Sequence, residues 1–220
     1  MLKRLLSYIV PINIHQQKSA VSKNLEVTWN NGELVLDSKN TNYSYGSLQR
    51  ILRKGLLHIG AKRILEMQHI LVLGVAGGSV IRTLTDELKY ANKITGVEID
   101  QTVVELANTY FGLNKILNLE VVIDDAFEFV LKTKERYDLV IIDIFKDTDM
   151  PNFLFEKFFF NRLAHLLNHG GYILFNTMTL NGMHDQRNRD FLSAIPSAGF
   201  EAQTIPRVEN HNELIVIKKL

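Results

Sequence analysis

The stretch LVLGVAGGSV, Leu71 to Val80, constrains the fold more than any other part of this 220-residue chain. An apolar run ends at Gly74, and Gly77 and Gly78 precede a segment of helical character. A strand that enters a glycine turn and leaves as a helix presents backbone N–H groups at the helix start. That is a common way of holding a nucleotide-like ligand.

The same alternation continues downstream. His69–Leu73, Lys93–Glu98, Leu119–Ile123 and Tyr137–Ile142 read as short buried strands, with helices expected over 78–89, 102–111, 126–132 and 154–168. Gly170-Gly171 is expected to end the last of these helices and to start a strand over Tyr172–Asn176. A helix fits 186–198, and the chain closes with strand-like runs Glu201–Ile205 and Glu213–Lys218 joined by ENHN. Short apolar strands alternating with amphipathic helices imply an α/β fold. The expected architecture is a Rossmann-like, seven-stranded, mostly parallel sheet with helices on both faces and an antiparallel C-terminal strand pair.

Upstream, LEVTWNNGELVL reads as a β-hairpin turning at Asn30-Asn31-Gly32, and residues 45–59 carry helical apolar spacing. The chain therefore divides into a short N-terminal segment with a hairpin, 1–44, and the α/β domain, 45–220. In MLKRLLSYIVPINI the apolar run is short, broken by Pro11 and followed by no small-residue cleavage site. It reads as a structural segment packing on the domain rather than a targeting signal. No run approaches the roughly 20 apolar residues of a membrane span. With no cysteine in the chain, disulfides, thiolate metal sites and a cysteine nucleophile are excluded. These features set the expectation of a cytoplasmic protein without a metal and without a membrane partner. A formal net charge of +1 leaves no electrostatic footprint for nucleic acid.

In an open α/β sheet the ligand sits beyond the carboxyl ends of the strands. The tips here are Gly74–Ser79, Glu98–Asp100, Asp124–Ala126 and Asp143–Asp147. Glu98 follows the glycine turn at the spacing where an acid accepts hydrogen bonds from ribose hydroxyls. The dinucleotide fingerprint G-x-G-x-x-G is broken, because its second and third glycines are Ala76 and Ser79. Acids at three successive tips suit a ribose and an adenine amine better than a pyrophosphate, whose charge they would oppose. Each acid also has a plainer reading as a turn acid or helix N-cap, and for Asp100 capping is the preferred one.

Taken together, ILVLGVAGGSVIRTL, GVEIDQTVVELANTYFGL, VVIDDAFEFV and YDLVIIDIFKDTDMPNFL resemble the spermidine synthase family, in order and in spacing, over about residues 40 to 180. That family lies within the class I S-adenosylmethionine-dependent methyltransferase fold. The resemblance implies a site for S-adenosylmethionine or its decarboxylated form, built from Gly74, Ala76, Gly77, Gly78, Glu98, Ile99, Asp125 and Ala126. Glu98 would hold the ribose and Asp125 would accept from the adenine amine. The N–H groups of Gly77 to Ser79 would face a ligand carboxylate. Asp143 would be the catalytic base, with Tyr45 and Asp147 at the acceptor. Tyr45 has an equal reading as a packing residue beneath the turn.

The chain departs from the family's pattern in three places. Where polyamine synthases resemble G-G-G-D-G-G, the acid is replaced by Gly77, which removes a partner for the ligand's ammonium group. Where they read D-S-S-D-P, this chain reads Asp143-Ile144-Phe145-Lys146-Asp147. A cation stands at the second acid position, and Asp147 comes one residue late. Their Y-Q-E segment is Tyr45-Gly46-Ser47 here. These departures favour methyl transfer to a small-molecule acceptor. Aminopropyl transfer from decarboxylated S-adenosylmethionine to putrescine is the alternative, and a nucleoside-binding protein without catalysis a further one. The aromatic run at 152–160 reads as a core helical face at 155, 158 and 159, with any excess face available to a homodimer contact. His184 reads as part of a solvated loop, and the histidines show no metal spacing.

Overall fold

The computed structural model describes residues 2–38, 42–145 and 149–220. A short helix α1 (Leu2–Leu6) leads into β1 (Ile12–Gln17), β2 (Leu25–Asn30), β3 (Glu33–Ser38) and β4 (Asn42–Ser44). These four strands form one antiparallel sheet in sequence order, so the expected hairpin is the centre of a larger N-terminal sheet. Its turn has Asn31 and Gly32 at φ 48° and 78°, the left-handed pair that a two-residue hairpin needs.

The N-terminal segment lies against the hairpin turn, where the Tyr8 ring covers Gly32, while most of its apolar surface stays exposed. Leu2, Leu5, Leu6, Tyr8, Ile9 and Val10 are exposed. The segment is also clipped to the hairpin by polar groups. The Arg4 guanidinium donates to the Gly32 carbonyl at 3.0 Å and lies over the Trp29 ring, and buried Ser7 accepts from the Gly32 N–H. One face of the sheet is apolar. Leu25, Val27 and Leu36 pack on Val103 and Leu106 of the α/β domain.

That domain runs α2 (Ser47–Ile59), α3 (Ala61–Glu66), β5 (His69–Leu73), α4 (Ser79–Arg82) with a wider π turn over Thr83–Glu87, β6 (Lys93–Glu98), α5 (Gln101–Phe111), β7 (Leu119–Ile123), α6 (Ala126–Lys132) and β8 (Tyr137–Ile142). It continues through α7 (Lys157–Leu166), β9 (Leu167–Met178), α8 (Gly182–Ala194), β10 (Phe200–Val208) and β11 (Asn212–Lys219). The seven strands lie in the order β10-β11-β9-β8-β5-β6-β7, and β11 runs antiparallel to both of its neighbours. The Rossmann-like arrangement is as expected.

Successive residues of β5 point to opposite faces. Ile70 and Val72 enter a core beneath α2, α3 and α4, while Leu71 and Leu73 enter one beneath α6, α7 and α8. Burial on both faces explains the unbroken apolar run.

Several boundaries differ from the sequence reading. Gly170-Gly171 lies inside β9, because α7 ends at Leu166 and pairing with β8 begins at Leu167. The aromatic run is split between a 3₁₀ turn over Asn152–Phe155 and α7. Within α7, Phe159 and Phe160 are buried and Phe158 is 62% exposed, so 158 does not belong to the core face. The helix expected over 186–198 starts at Gly182, where Asn181 accepts from the N–H groups of Met183 and His184. That cap places His184 in a helix, not in a loop. No helix among the described residues is long and apolar enough to cross a membrane.

Candidate active site

The chain leaves β5 for β6 and β7 on one side, then returns to β8 on the other. This opens a crevice beyond the carboxyl ends of β5, β6 and β8. Gly74 bridges it. The Gly74 N–H donates to the Val97 carbonyl at 3.0 Å, and the Asp143 N–H donates to the Leu73 carbonyl at 2.9 Å. Gly74 has φ 90°, and a Cβ there would collide with the carbonyl oxygen of Asp143. A side chain at this position would therefore push the Asp143 strand end away from the turn.

Glu98 pins the turn from the β6 side. One of its carboxylate oxygens accepts from the N–H groups of Val75 at 3.1 Å and Ala76 at 3.0 Å, and the other from Asp100 at 3.1 Å. Ala76 can then hold its φ of 46°. Glu98 is only 9% exposed, and burial raises its pKa despite these three donors. An ionised carboxylate offers about four acceptor positions, so about one is left for a ligand. Next to it, Ile99 is 49% exposed and offers an apolar surface at the strand tip.

The remaining acids divide by role. Asp100 caps α5 by accepting from the Thr102 N–H at 3.0 Å, as expected, and its second oxygen accepts from the Ser19 hydroxyl. It thereby ties the N-terminal sheet to the domain. Asp125 caps α6, which begins at Ala126, by accepting from Phe127 at 2.8 Å and Glu128 at 3.3 Å. Both bonds end on Oδ1, which leaves Oδ2 as a second acceptor. Asp124 accepts from the Asp125 N–H at 2.9 Å.

Asp143 lies just past β8. Part of the residue reaches solvent, yet the protein packed around its carboxyl pushes the pKa up to about 7. The Asn176 side chain opposes the shift by donating to Oδ1 at 2.8 Å, and the negative charge of Glu98 adds to it. A carboxyl poised near neutrality can take a proton and give it back. Asp147 and Lys146 lie outside the described residues.

The glycine turn is covered by the end of the N-terminal sheet. Ser44 is buried, and its hydroxyl oxygen accepts from the Ser79 N–H at 3.2 Å. That N–H, expected to face a ligand carboxylate, already has a partner. A Cβ on Gly77 would stand 2.8 Å from the Ser44 Cβ and 3.2 Å from the Tyr45 ring. Gly78, at φ 83°, turns the chain into α4. The Tyr45 ring stacks on Phe111 with centroids 4.7 Å apart, and burial pushes its pKa up to about 12. Tyr45 also lines a groove of about 430 Å³ with Trp29, Gln49 and Arg82. Tyr45 is thus packed on Phe111 and at the same time forms part of a groove wall.

Sequence reasoning passed over Ser44, Asn176 and Asn212. The only signal for Asn176 was a polar residue ending the apolar run YILFN, and Asn212 was absorbed into the ENHN turn. Among the described residues no group of three or more His, Asp or Glu side chains could hold a metal ion.

A sequence model of the spermine/spermidine synthase domain matches residues 49–211. The chain belongs to this family. A polyamine aminopropyltransferase of Thermoplasma volcanium is 36% identical over 113 residues, which cover 49% of this chain and 40% of that protein. The match thus spans about two fifths of that relative's length. Among solved structures, a spermidine synthase in complex with the transition-state analogue AdoDATO superposes with a TM-score of 0.72 at 17% identity, covering 95% of this chain and 73% of that one. Human methyltransferase-like protein 13 in complex with SAH gives 0.66 at 21% identity, covering 80% and 83%. Family and fold are as the sequence motifs implied.

Proposed function

We propose that the chain is a transferase that moves an aminopropyl group from decarboxylated S-adenosylmethionine to a small amine, with Asp143 taking the amine's proton. The observation that carries this reading is the Asp143 carboxyl at the crevice beside the glycine turn, poised near pH 7. When bound, the sulfonium supplies the electrophilic carbon, whose bond to sulfur breaks as the bond to nitrogen forms. The protein's part is alignment and proton transfer. In this reading the open acceptor position of Glu98 takes a ribose hydroxyl and Asp125 Oδ2 takes the adenine amine. Ile99 covers one face of the base, and the backbone from Gly74 through Ala76 and Gly77 to Gly78 lines the sulfonium arm, with Ala126 beside the adenine. Asp147 is assigned to the acceptor, a diamine such as putrescine.

The relatives named as aminopropyltransferases and the likeness to spermidine synthases support the choice of transferred group over the methyl transfer favoured by sequence alone. One observation still favours methyl transfer as a second reading. Gly77 supplies no acid for an ammonium terminus, and Ser44 and Tyr45 fill the space such an acid would use.

Parallel calorimetric titrations with S-adenosylmethionine, its decarboxylated form and NAD test the proposal, followed by mass analysis of products formed with putrescine. Tenfold preference for the decarboxylated ligand and formation of spermidine are expected. Tenfold preference for S-adenosylmethionine overturns aminopropyl in favour of methyl transfer, and binding of NAD alone overturns both. Asp143→Asn should lower turnover by about 10²–10⁴-fold.

A further inference from the structure

Three strands are joined behind the crevice by side-chain amides. Asn212, at the start of β11, donates from Nδ2 to the Asn176 Oδ1 at 2.9 Å. Asn176, near the end of β9, donates from its own Nδ2 to Asp143 Oδ1 at 2.8 Å. Asn176 is 0% exposed and Asn212 is 8% exposed, so water does not compete for these groups.

We propose that Asn212 is a positioning residue for Asp143, acting by fixing which end of the Asn176 amide faces the acid. This rests on the reading of Asp143 as the proton acceptor. A primary amide has a donor end and an acceptor end of nearly the same shape, so its sense is set by its neighbours. With Asn212 donating to Oδ1, the NH₂ group of Asn176 must point at Asp143. With Asp143 ionised and the Asn212 amide in its observed sense, the reversed Asn176 amide would set oxygen against oxygen at Asp143 and donor against donor at Asn212. Buried polar groups left in that state are strongly disfavoured. Asn212 thus holds Asp143 in a charge-accepting environment from two strands away.

The other groups around Asp143 do not supply this. Glu98 faces it from β6 with a charge of the same sign. The β5 turn presents only the backbone of Gly74. Glu213, beside Asn212, is engaged by the Asn188 amide at 2.8 Å. The donor from Asn176 is the one side-chain contact among the described residues that lowers the Asp143 pKa.

The test is a carboxyl-carbon NMR titration of Asp143 in the full chain, its signal assigned by its loss in Asp143→Asn. In Asn212→Leu the titration midpoint should rise by about one pH unit. In Asn212→Asp, whose new carboxylate accepts from Asn176 and reverses the amide, it should rise further. The added charge is separated from the amide by repeating Asn212→Asp in an Asn176→Leu background, where less than half the shift should remain. An equal shift in both backgrounds, or an unmoved midpoint in Asn212→Leu, overturns the proposal. If the leucine variant does not fold, the near-isosteric aspartate pair alone decides. Asn188→Ala, which loosens the same strands through Thr177 and Glu213, should lower the melting temperature and leave the midpoint in place. A midpoint shift of similar size there overturns a specific role for Asn212. If the midpoint responds as stated while Asp143→Asn keeps full turnover with decarboxylated S-adenosylmethionine and putrescine, the positioning stands and the catalytic reading of Asp143 fails.

Discussion

Gly74 and Asp143 meet backbone to backbone, at a separation that admits no side chain on Gly74. The contact is fixed on one side by the Gly74 bond to Val97 and on the other by the Asp143 bond to Leu73. The turn and the acid therefore move together.

This contact predicts the effect of Gly74→Ala. The substitution combines a φ of 90° with a collision against the Asp143 carbonyl, and should destabilise the fold by about 2–4 kcal/mol. Gly170→Ala is the comparison. Gly170 has φ 72° and nothing within 4 Å of an added Cβ, so about 1 kcal/mol is expected. Urea denaturation of the two variants measures the difference, and equal losses would show that the contact with Asp143 has no energetic weight.

The raised pKa of Asp143 makes stability depend on pH. The folded value of about 7 lies above the ordinary carboxylate value of 3.8, so the folded state binds this proton more tightly than the unfolded chain does. Its contribution is fully present below about pH 4 and is lost as pH rises toward 7. Asp143→Asn should therefore be more stable than the parent at pH 8, by about 1–2 kcal/mol after allowance for solvent screening of a partly exposed group. The difference should vanish near pH 4. Melting curves at both pH values check the sign. A parent that gains stability relative to the variant on going from pH 4 to pH 8 contradicts it.

Gly77 faces Ser44 too closely for a larger residue. Gly77→Asp, which restores the acid that related synthases are expected to carry, should cost about 1–3 kcal/mol through overpacking against Ser44 and Tyr45. Ser44→Gly removes the nearest obstacle and should recover part of that loss in the double variant. Chemical denaturation of the two single variants and the double variant measures the coupling. Strict additivity would mean that the N-terminal sheet does not press on the turn.

Sequence and structure contribute different parts of this picture. Local chemistry was legible wherever a short segment carried its own signal. The runs around Leu71, Val97 and Val140 alternate with helical segments, and such a pattern has one economical packing, a parallel sheet buried on both faces. Glu98, Asp125 and Asp143 were legible because acids at strand tips follow from that sheet. The capping role of Asp100 follows from its place just before a helix.

Contacts between distant segments were not legible, because no local pattern encodes them. The Ser44 bond to Ser79 spans 35 residues, and the Asn212 bond to Asn176 spans 36. The extra strands of the N-terminal sheet and the exposure of α1 depend in the same way on which surfaces meet. By itself the sequence determined the α/β frame, the glycine turn and the acids at its rim, since periodicity and turn chemistry act over a few residues. Only the tertiary structure decided that Ser44 occupies the turn's N–H, that Tyr45 stacks on Phe111, and that buried Asn176 meets Asp143 while Asn212 meets Asn176. Hydrogen bonding and steric fit depend on ångström-scale distances between strands that the chain brings together only on folding.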